Sequence, residues 1–359
     1  MNICVYGAGA VGGSIAARLH AAGENVSVIA RGAHAQAIRQ HGLTVIAGDS
    51  RIEARVACLD DAAELGPQDL IIVAVKGPQL PAIARPLGRL LESGAHAVFA
   101  MNGILWWFAD GLPLEMPAGF LEALDPGDEL RRRIPADRVI GAVVNSSNEV
   151  IAPGVILNTT PQRNRVVLGS ATTASPDERL WIPAAAGMTT PREERHWIPA
   201  AAGMTATGVS ARAIADASAA LARAGYDAPV TSNIRQHVWE KMVLYVAVSS
   251  VAALTHHALD KLVCDPGAHA LMTDLMQEGT AIGRCLGFDL RDDADERLAF
   301  FRDKPVRPSM LQDFELGREP ELAGSILAFE AIAGAARVAV PRLDVVATLL
   351  RLKARNESR

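Results

Sequence analysis

The sequence predicts an α/β fold, a doubly wound parallel sheet at the N-terminus followed by an all-α C-terminal domain. Three observations predict it. An apolar strand, Asn2 to Tyr6, runs straight into the glycine run Gly7-Ala8-Gly9-Ala10-Val11-Gly12-Gly13. Apolar strands and helical segments then alternate over the first 105 residues or so, the pattern of βαβ units. Beyond Gly208 the pattern becomes helical throughout.

The glycine run is G-x-G-x-x-G between a strand and an Ala-rich helix, Val11 to Ala22, closed by Gly23. In that setting Gly7 permits a tight turn, Gly9 lets the backbone approach a pyrophosphate, and Gly12 lets the helix pack on the strand. The helix start offers free N–H groups and a positive dipole end. A dinucleotide site is expected over Gly7, Ala8, Gly9, Ala10, Val11 and Gly12. Asn25 to Ala30 reads as the second strand, with a small hairpin following over Leu43 to Ala47 and Ile52 to Ala57. Asp69 to Val75 is a continuous apolar run, as a strand buried on both faces should be. Leu80 to Leu91 is the next helix and Ala95 to Ala100 the next strand. Val139 to Val144, Gly154 to Asn158 and Arg165 to Leu168 are expected to extend the same sheet.

Residues 171–206 interrupt the pattern. Trp181-Ile-Pro-Ala-Ala-Ala-Gly-Met-Thr189 recurs verbatim from Trp197 to Thr205, 16 residues on. Two copies are too few for a solenoid, so the segment reads as a duplicated surface insertion, with a lid or partner-binding loop as the alternative. Helices are expected at Val209 to Ala224, Asn233 to about Leu262, Gly267 to Leu286, Ala294 to Phe301, Glu321 to Arg337 and Asp344 to Arg355. Pro229 ends a short extended stretch, which divides the chain into 1–231, dinucleotide-binding with the insertion, and 232–359, helical and substrate-binding.

Composition removes several classes of function. A formal net charge of −5 gives no bulk attraction to nucleic acid or anionic lipid. Aromatic residues are 4% of the chain, too few for base-stacking platforms. Cys4, Cys58, Cys264 and Cys285 show no C-x-x-C spacing and read as reduced, mostly buried thiols; no metal site is expected. The first strand begins at residue 2 without a basic leader, and no apolar run reaches the roughly 18 residues of a membrane span; Val243 to Leu254 is too short and reads as a buried core helix. A cytoplasmic protein is expected. The apolar helices of the second domain could also supply a homodimer interface.

Candidate chemistry follows from placement. The second strand ends at Ala30-Arg31-Gly32. An acidic residue there takes a ribose 2′-hydroxyl, whereas arginine suits a 2′-phosphate, so Arg31 points to NADP(H); the alternative is an ordinary solvated arginine. Lys76, with Gln79 three residues on, and Asn102 follow two further strands, and ligands of such sheets bind at the carboxyl ends. In the second domain Lys241 interrupts an apolar helix. A lysine against an apolar wall loses part of its preference for charge and becomes a proton donor, while snorkelling to solvent is the commoner fate of such a residue. Arg307 to Glu321 is dense in hydroxyl, amide and carboxylate groups, and a helix starting near Glu321 would gain from its acidic first turn.

Taken in order, Gly-Ala-Gly-Ala-Val-Gly-Gly at 7–13, Arg31-Gly32, Lys76-x-x-Gln79, Met101-Asn102-Gly103, Trp239-Glu-Lys241 and Ser309-Met-Leu-Gln-Asp313 with Glu321 resemble the ketopantoate reductase (2-dehydropantoate 2-reductase) family, over nearly the whole chain apart from the insertion. The resemblance implies a Rossmann-type N-terminal domain and hydride transfer from NADPH to the ketone carbon of a 2-oxo acid, as in pantothenate biosynthesis. It implies that Lys241 is the general acid, that Glu321 orients Lys241 and the cofactor ribose, and that Ser309 binds the substrate carboxylate. It further implies that Asn102 sits between cofactor and substrate and that Lys76 lies near the cofactor. Members of the family usually carry substrate-binding asparagines four and eight residues after the lysine. Here Tyr245 and Ser249 stand there and become candidate substrate contacts. Ketopantoate is the expected substrate. A different 2-oxo acid, or a catalytically weak NADP(H)-binding sensor or partner protein, are the alternatives.

Overall fold

In a computed structural model of the protein, residues 1–110, 112–172 and 209–357 are described; the Trp181–Thr205 duplication lies outside them. The strands are β1 (Asn2–Tyr6), β2 (Asn25–Ile29), β3 (Leu43–Ala47), β4 (Ser50–Ala54), β5 (Ala57–Leu59), β6 (Leu70–Val73), β7 (His96–Phe99), β8 (Val139–Asn145), β9 (Asn148–Ala152), β10 (Val155–Asn158) and β11 (Arg165–Ser170). The α-helices are α1 (Ala10–Ala21), α2 (Gly32–His41), α3 (Leu80–Glu92), α4 (Ala118–Leu124), α5 (Glu129–Arg133), α6 (Ala211–Arg223), α7 (Ile234–Thr255), α8 (Leu259–Cys264), α9 (Pro266–Cys285), α10 (Ala294–Ala299), α11 (Ser309–Glu315), α12 (Ile326–Ala336) and α13 (Pro341–Glu357). The described residues divide into two compact units, one of 1–102, 125–172 and 209–235, the other of 103–124 and 236–357.

The first unit is built on a seven-stranded sheet in the order β5-β2-β1-β6-β7-β8-β11. Its pairings are parallel except β11, which runs antiparallel to β8. This is the predicted doubly wound, Rossmann-type architecture. All four residues of β6, Leu-Ile-Ile-Val, are buried, as expected for a central strand covered on both faces. Gly154 to Asn158 departs from expectation. β10 joins a separate four-stranded sheet, β4-β3-β10-β9, with the 43–54 hairpin in it. The reason is packing on α1. A Cβ added to Gly13 would lie 2.4 Å from Ile156 Cδ1, so this sheet covers a face of α1 made of glycine and alanine. Apolar alternation states that a strand is half-buried, but not which sheet edge it joins.

The second unit is helical. α7 places Trp239 at its centre, fully buried and stacked on Phe329 of α12 at 4.1 Å between ring centroids. Its indole N–H donates to the Gly279 carbonyl at 2.9 Å. A Cβ on Gly283 of α9 would stand 2.4 Å from that indole nitrogen, so this glycine makes room for the tryptophan, while Gly279 leaves room for Phe329 and Val243. A stacked pair of this kind contributes roughly 0.5–1.5 kcal/mol beyond area burial, and it fixes the rotation of α7.

Three helix expectations change. The helix expected over 233–262 breaks at His256, whose φ is +58°, and resumes as α8. The helix expected from Glu321 starts only at Ile326. The Gly324 carbonyl accepts from the Ile104 N–H at 2.6 Å, and Ser325 is non-helical with φ −121° and ψ −109°, so Glu321 sits in the preceding segment. The Ser309 stretch, for which no element was expected, is itself a helix. Among the described residues α7 is the one helix long and apolar enough to cross a membrane by length and composition, with 67% of the apolar window buried inside the protein. Burial of most of that window fits the core-helix reading of Val243 to Leu254. Of the cysteines, Cys4 and Cys58 are buried, Cys264 is exposed and Cys285 intermediate, so the buried reading holds for half of them.

Candidate functional site

The cofactor candidates gather along one edge of the first unit's sheet. Tyr6, Ile29, Val73 and Phe99 stand in one register row across β2, β1, β6 and β7. Because these strands are parallel, Gly7, Arg31, Lys76 and Asn102 all follow the same carboxyl edge. Gly7 takes φ +98°, and a Cβ there would meet Val75 Cγ1 at 2.8 Å and the Ala74 carbonyl oxygen at 2.9 Å. A Cβ on Gly12 would lie 1.9 Å from the Gly7 carbonyl oxygen, so this glycine lets α1 begin against the loop. At Gly9 nothing lies within 4 Å of an added Cβ: the space in front of its backbone is open. Gly9 caps α1 without a side chain, and the first turn carries no acidic residue. Open space beside helix-start amides of positive partial charge fits a bound pyrophosphate.

Arg31 is exposed and precedes α2 as its N-cap residue. Lys76 and Asn102 are half-buried. Gln79 turns back on the chain, its Oε1 accepting from the Lys76 N–H at 3.1 Å, and so shapes the loop that presents Lys76. One residue of this edge was not anticipated. His34, in α2, contacts the Ala8 carbonyl, and no spacing rule marks a lone histidine in a polar helix turn.

In the second unit a polar line runs along α7. Lys241, Tyr245 and Ser249 are spaced i, i+4 and i+8, which puts them on one helix face. Lys241 is half-buried. Burial is the main influence on its ammonium, pulling the pKa from 10.5 to about 8, while the Glu321 carboxylate works in the opposite direction. Snorkelling into bulk solvent is therefore not its situation. The Tyr245 phenol is pushed up, first by burial and then by the Glu321 carboxylate, with Asp313 adding to the rise and the hydroxyls of Ser309 and Ser249 tempering it. The phenol thus keeps its proton at neutral pH. Its oxygen lies 3.1 Å from Ser309 Oγ, at the first residue of α11. Asp313, one turn further along α11, is buried.

Ser249 is fully buried. It lies close enough to temper the Tyr245 phenol, yet no pairing of hydrogen-bond geometry joins the two, and Ser249 Oγ has no partner among the described residues. The same is true of Ser250 Oγ. A buried hydroxyl left without any partner costs about 1–3 kcal/mol, and the Tyr245 phenol is the polar group nearest to hand for Ser249. Lys241, Tyr245, Ser249, Ser309 and Glu321 are thus linked within one unit, the last by its charge on both Lys241 and Tyr245. No group of three or more His, Cys, Asp or Glu arranged to hold a metal occurs among the described residues.

Comparison with known proteins gives the family. Residues 3–172 match the family described as ketopantoate reductase PanE/ApbA, and residues 233–354 match the C-terminal domain of the same family. A 2-dehydropantoate 2-reductase of Mesorhizobium japonicum is 31% identical over 353 residues, covering 98% of this chain and 97% of that protein. A provisionally assigned ketopantoate reductase from Ralstonia solanacearum MolK2 superposes with a TM-score of 0.80 at 30% identity, covering 99% and 98% of the two chains. The ternary structure of a D-mandelate dehydrogenase with NADH and anilino(oxo)acetate shares the fold, with a TM-score of 0.76 at 18% identity over 100% and 99% of the chains. The protein is an oxidoreductase of a dinucleotide-binding type, and the chain belongs to the ketopantoate reductase family.

Proposed function

We propose that the protein catalyses the NADPH-dependent reduction of a 2-oxo acid to a 2-hydroxy acid, with ketopantoate reduced to pantoate. The observation that carries this reading is the α7 line, an ammonium of lowered pKa beside a protonated phenol and the Ser309 hydroxyl. The Gly7–Gly12 loop would hold the pyrophosphate of NADPH, which would supply a hydride to the ketone carbon. Negative charge then develops on the former carbonyl oxygen, and Lys241 Nζ gives that oxygen a proton as its N–H bond breaks, leaving a neutral amine to be reprotonated from water. A lysine near pKa 8 is both charged at neutral pH and a ready donor, the match a general acid needs. The Glu321 carboxylate opposes the effect of burial and keeps more of Lys241 charged. Ser309 and Tyr245 would donate hydrogen bonds to the substrate carboxylate, Asn102 would serve both cofactor and substrate, and Lys76 and Arg31 would hold cofactor phosphates, Arg31 the 2′-phosphate.

A second reading keeps the chemistry and changes the substrate. Tyr245 and Ser249 replace side-chain amides usual in the family, and Ser249 Oγ lacks a partner. A site built to grip a hydroxylated substrate loses specificity heavily when its polar partners change. The deciding experiment is NADPH oxidation against a panel of ketopantoate, branched aliphatic and aryl 2-oxo acids. Ketopantoate having the highest kcat/KM supports the first substrate, and an aryl or plain aliphatic acid ahead of it by tenfold supports the second. NADPH binding without turnover of any of them refutes the enzymatic reading in favour of a sensor.

A further inference from the structure

His34 uses both ring nitrogens. Nδ1 lies 3.1 Å from the Gly154 backbone nitrogen, and Nε2 lies 2.7 Å from the Ala8 carbonyl oxygen. A backbone N–H can only donate and a carbonyl can only accept, so Nδ1 is the bare acceptor and Nε2 carries the hydrogen. The partners thus assign a single neutral tautomer.

Gly154 is itself held from the other side. It forms the β9–β10 turn with φ +77°, and its carbonyl accepts from the Thr44 N–H at 2.8 Å. The chain from Thr44 through Gly154 and His34 to Ala8 therefore ties the four-stranded sheet to the glycine loop. Ala8 stands between Gly7 and Gly9, and glycines on both sides make rotation of the intervening peptides easy. In a planar trans peptide the C=O and the following N–H point in opposite directions. Fixing the Ala8 carbonyl on His34 therefore turns the Gly9 N–H the opposite way.

We infer that His34 is a positioning residue for the cofactor loop, setting the direction of the Gly9 N–H by holding the Ala8 carbonyl. This rests on the reading that the loop binds NADPH. The small sheet gains a purpose from it, since β9 and β10 carry the anchor that fixes the ring of His34.

The test is NADPH affinity by fluorescence titration for wild type, His34→Phe and His34→Gln, with melting of the cofactor-free proteins and kcat at saturating NADPH measured alongside. His34→Phe keeps a ring and removes both hydrogen bonds. It is expected to weaken NADPH binding about tenfold, the equivalent of one hydrogen bond near 1.4 kcal/mol, with kcat within about twofold of wild type. His34→Gln retains a donor and an acceptor and is expected to recover most of the affinity. Should the phenyl ring prevent folding, His34→Ala carries the same expectation. Affinity within about twofold of wild type in the folded Phe or Ala variant overturns the inference, as does a loss confined to kcat. A wild-type protein that binds no NADPH refutes the proposed function instead, so the two failures are distinct.

Discussion

Replacing Glu321 with glutamine removes one negative charge near Lys241 while keeping side-chain volume. Burial alone drives the Lys241 ammonium downward, and Glu321 is the named influence that raises it. Without the carboxylate the pKa of about 8 falls further. An opposite charge in contact range shifts a pKa by about 1–3 units, and the low end places the variant near pH 7. The proton donor must be charged to act, so kcat for reduction should decline on the alkaline side through the pKa of Lys241 in each protein. At about pH 6 both ammonium groups are charged and the two rates should agree closely. At about pH 7.5 the charged fractions differ roughly threefold, and so should kcat. The assay is the initial rate of NADPH oxidation from about pH 6 to 9 at saturating cofactor and substrate. An alkaline limb that stays in place or moves to higher pH in Glu321→Gln refutes the coupling.

Three further outcomes are expected. Lys241→Met should lower kcat by about 10²–10⁴ and at the same time stabilise the fold by up to about 3 kcal/mol near neutral pH, because the gap between 10.5 and about 8, at 1.36 kcal/mol per pKa unit, is the net cost of burying the charge beside Glu321. Between those two values the unfolded chain holds the proton and the folded chain does not, so wild-type stability rises with pH across that window and the variant's advantage fades above it; thermal melts at about pH 7 and pH 10.5 check the sign. Gly9→Ala and Gly12→Ala should separate binding from folding. With open space at Gly9 and a 1.9 Å collision at Gly12, the first should weaken NADPH binding at a stability cost below about 1 kcal/mol, and the second should destabilise the fold by about 1–3 kcal/mol. Arg31→Ala should lower NADPH affinity by about 10–100-fold, the range of a hydrogen bond to a charged group, and leave NADH affinity within about twofold, read by titration with each cofactor.

Part of the candidate site follows from local pattern, the glycine loop, the strand-end residues and the lysine within an apolar helix, whereas Tyr245, Ser249 and Ser309 enter only through the family resemblance. Lys241, Tyr245 and Ser249 share a face through helix periodicity, and Gly7, Arg31, Lys76 and Asn102 share an edge because parallel strands end together. Neither statement needs a partner segment to be known. Glu321 was read as the first turn of a helix because an acidic residue before an apolar run is a start signal. The signal failed where the Gly324 carbonyl paired with Ile104, more than two hundred residues away in sequence, and diverted the chain.

The sequence by itself determined the alternation of strand and helix, the glycine loop and the lysine within an apolar helix. Each follows from short-range sterics and periodicity, which act within a few residues. Only the tertiary structure decided that β10 leaves the main sheet to cover α1, that Ser309 meets Tyr245, and that His34 holds Ala8. Those are contacts between segments distant along the chain. Their energies depend on which surfaces meet, and no local pattern carries that information.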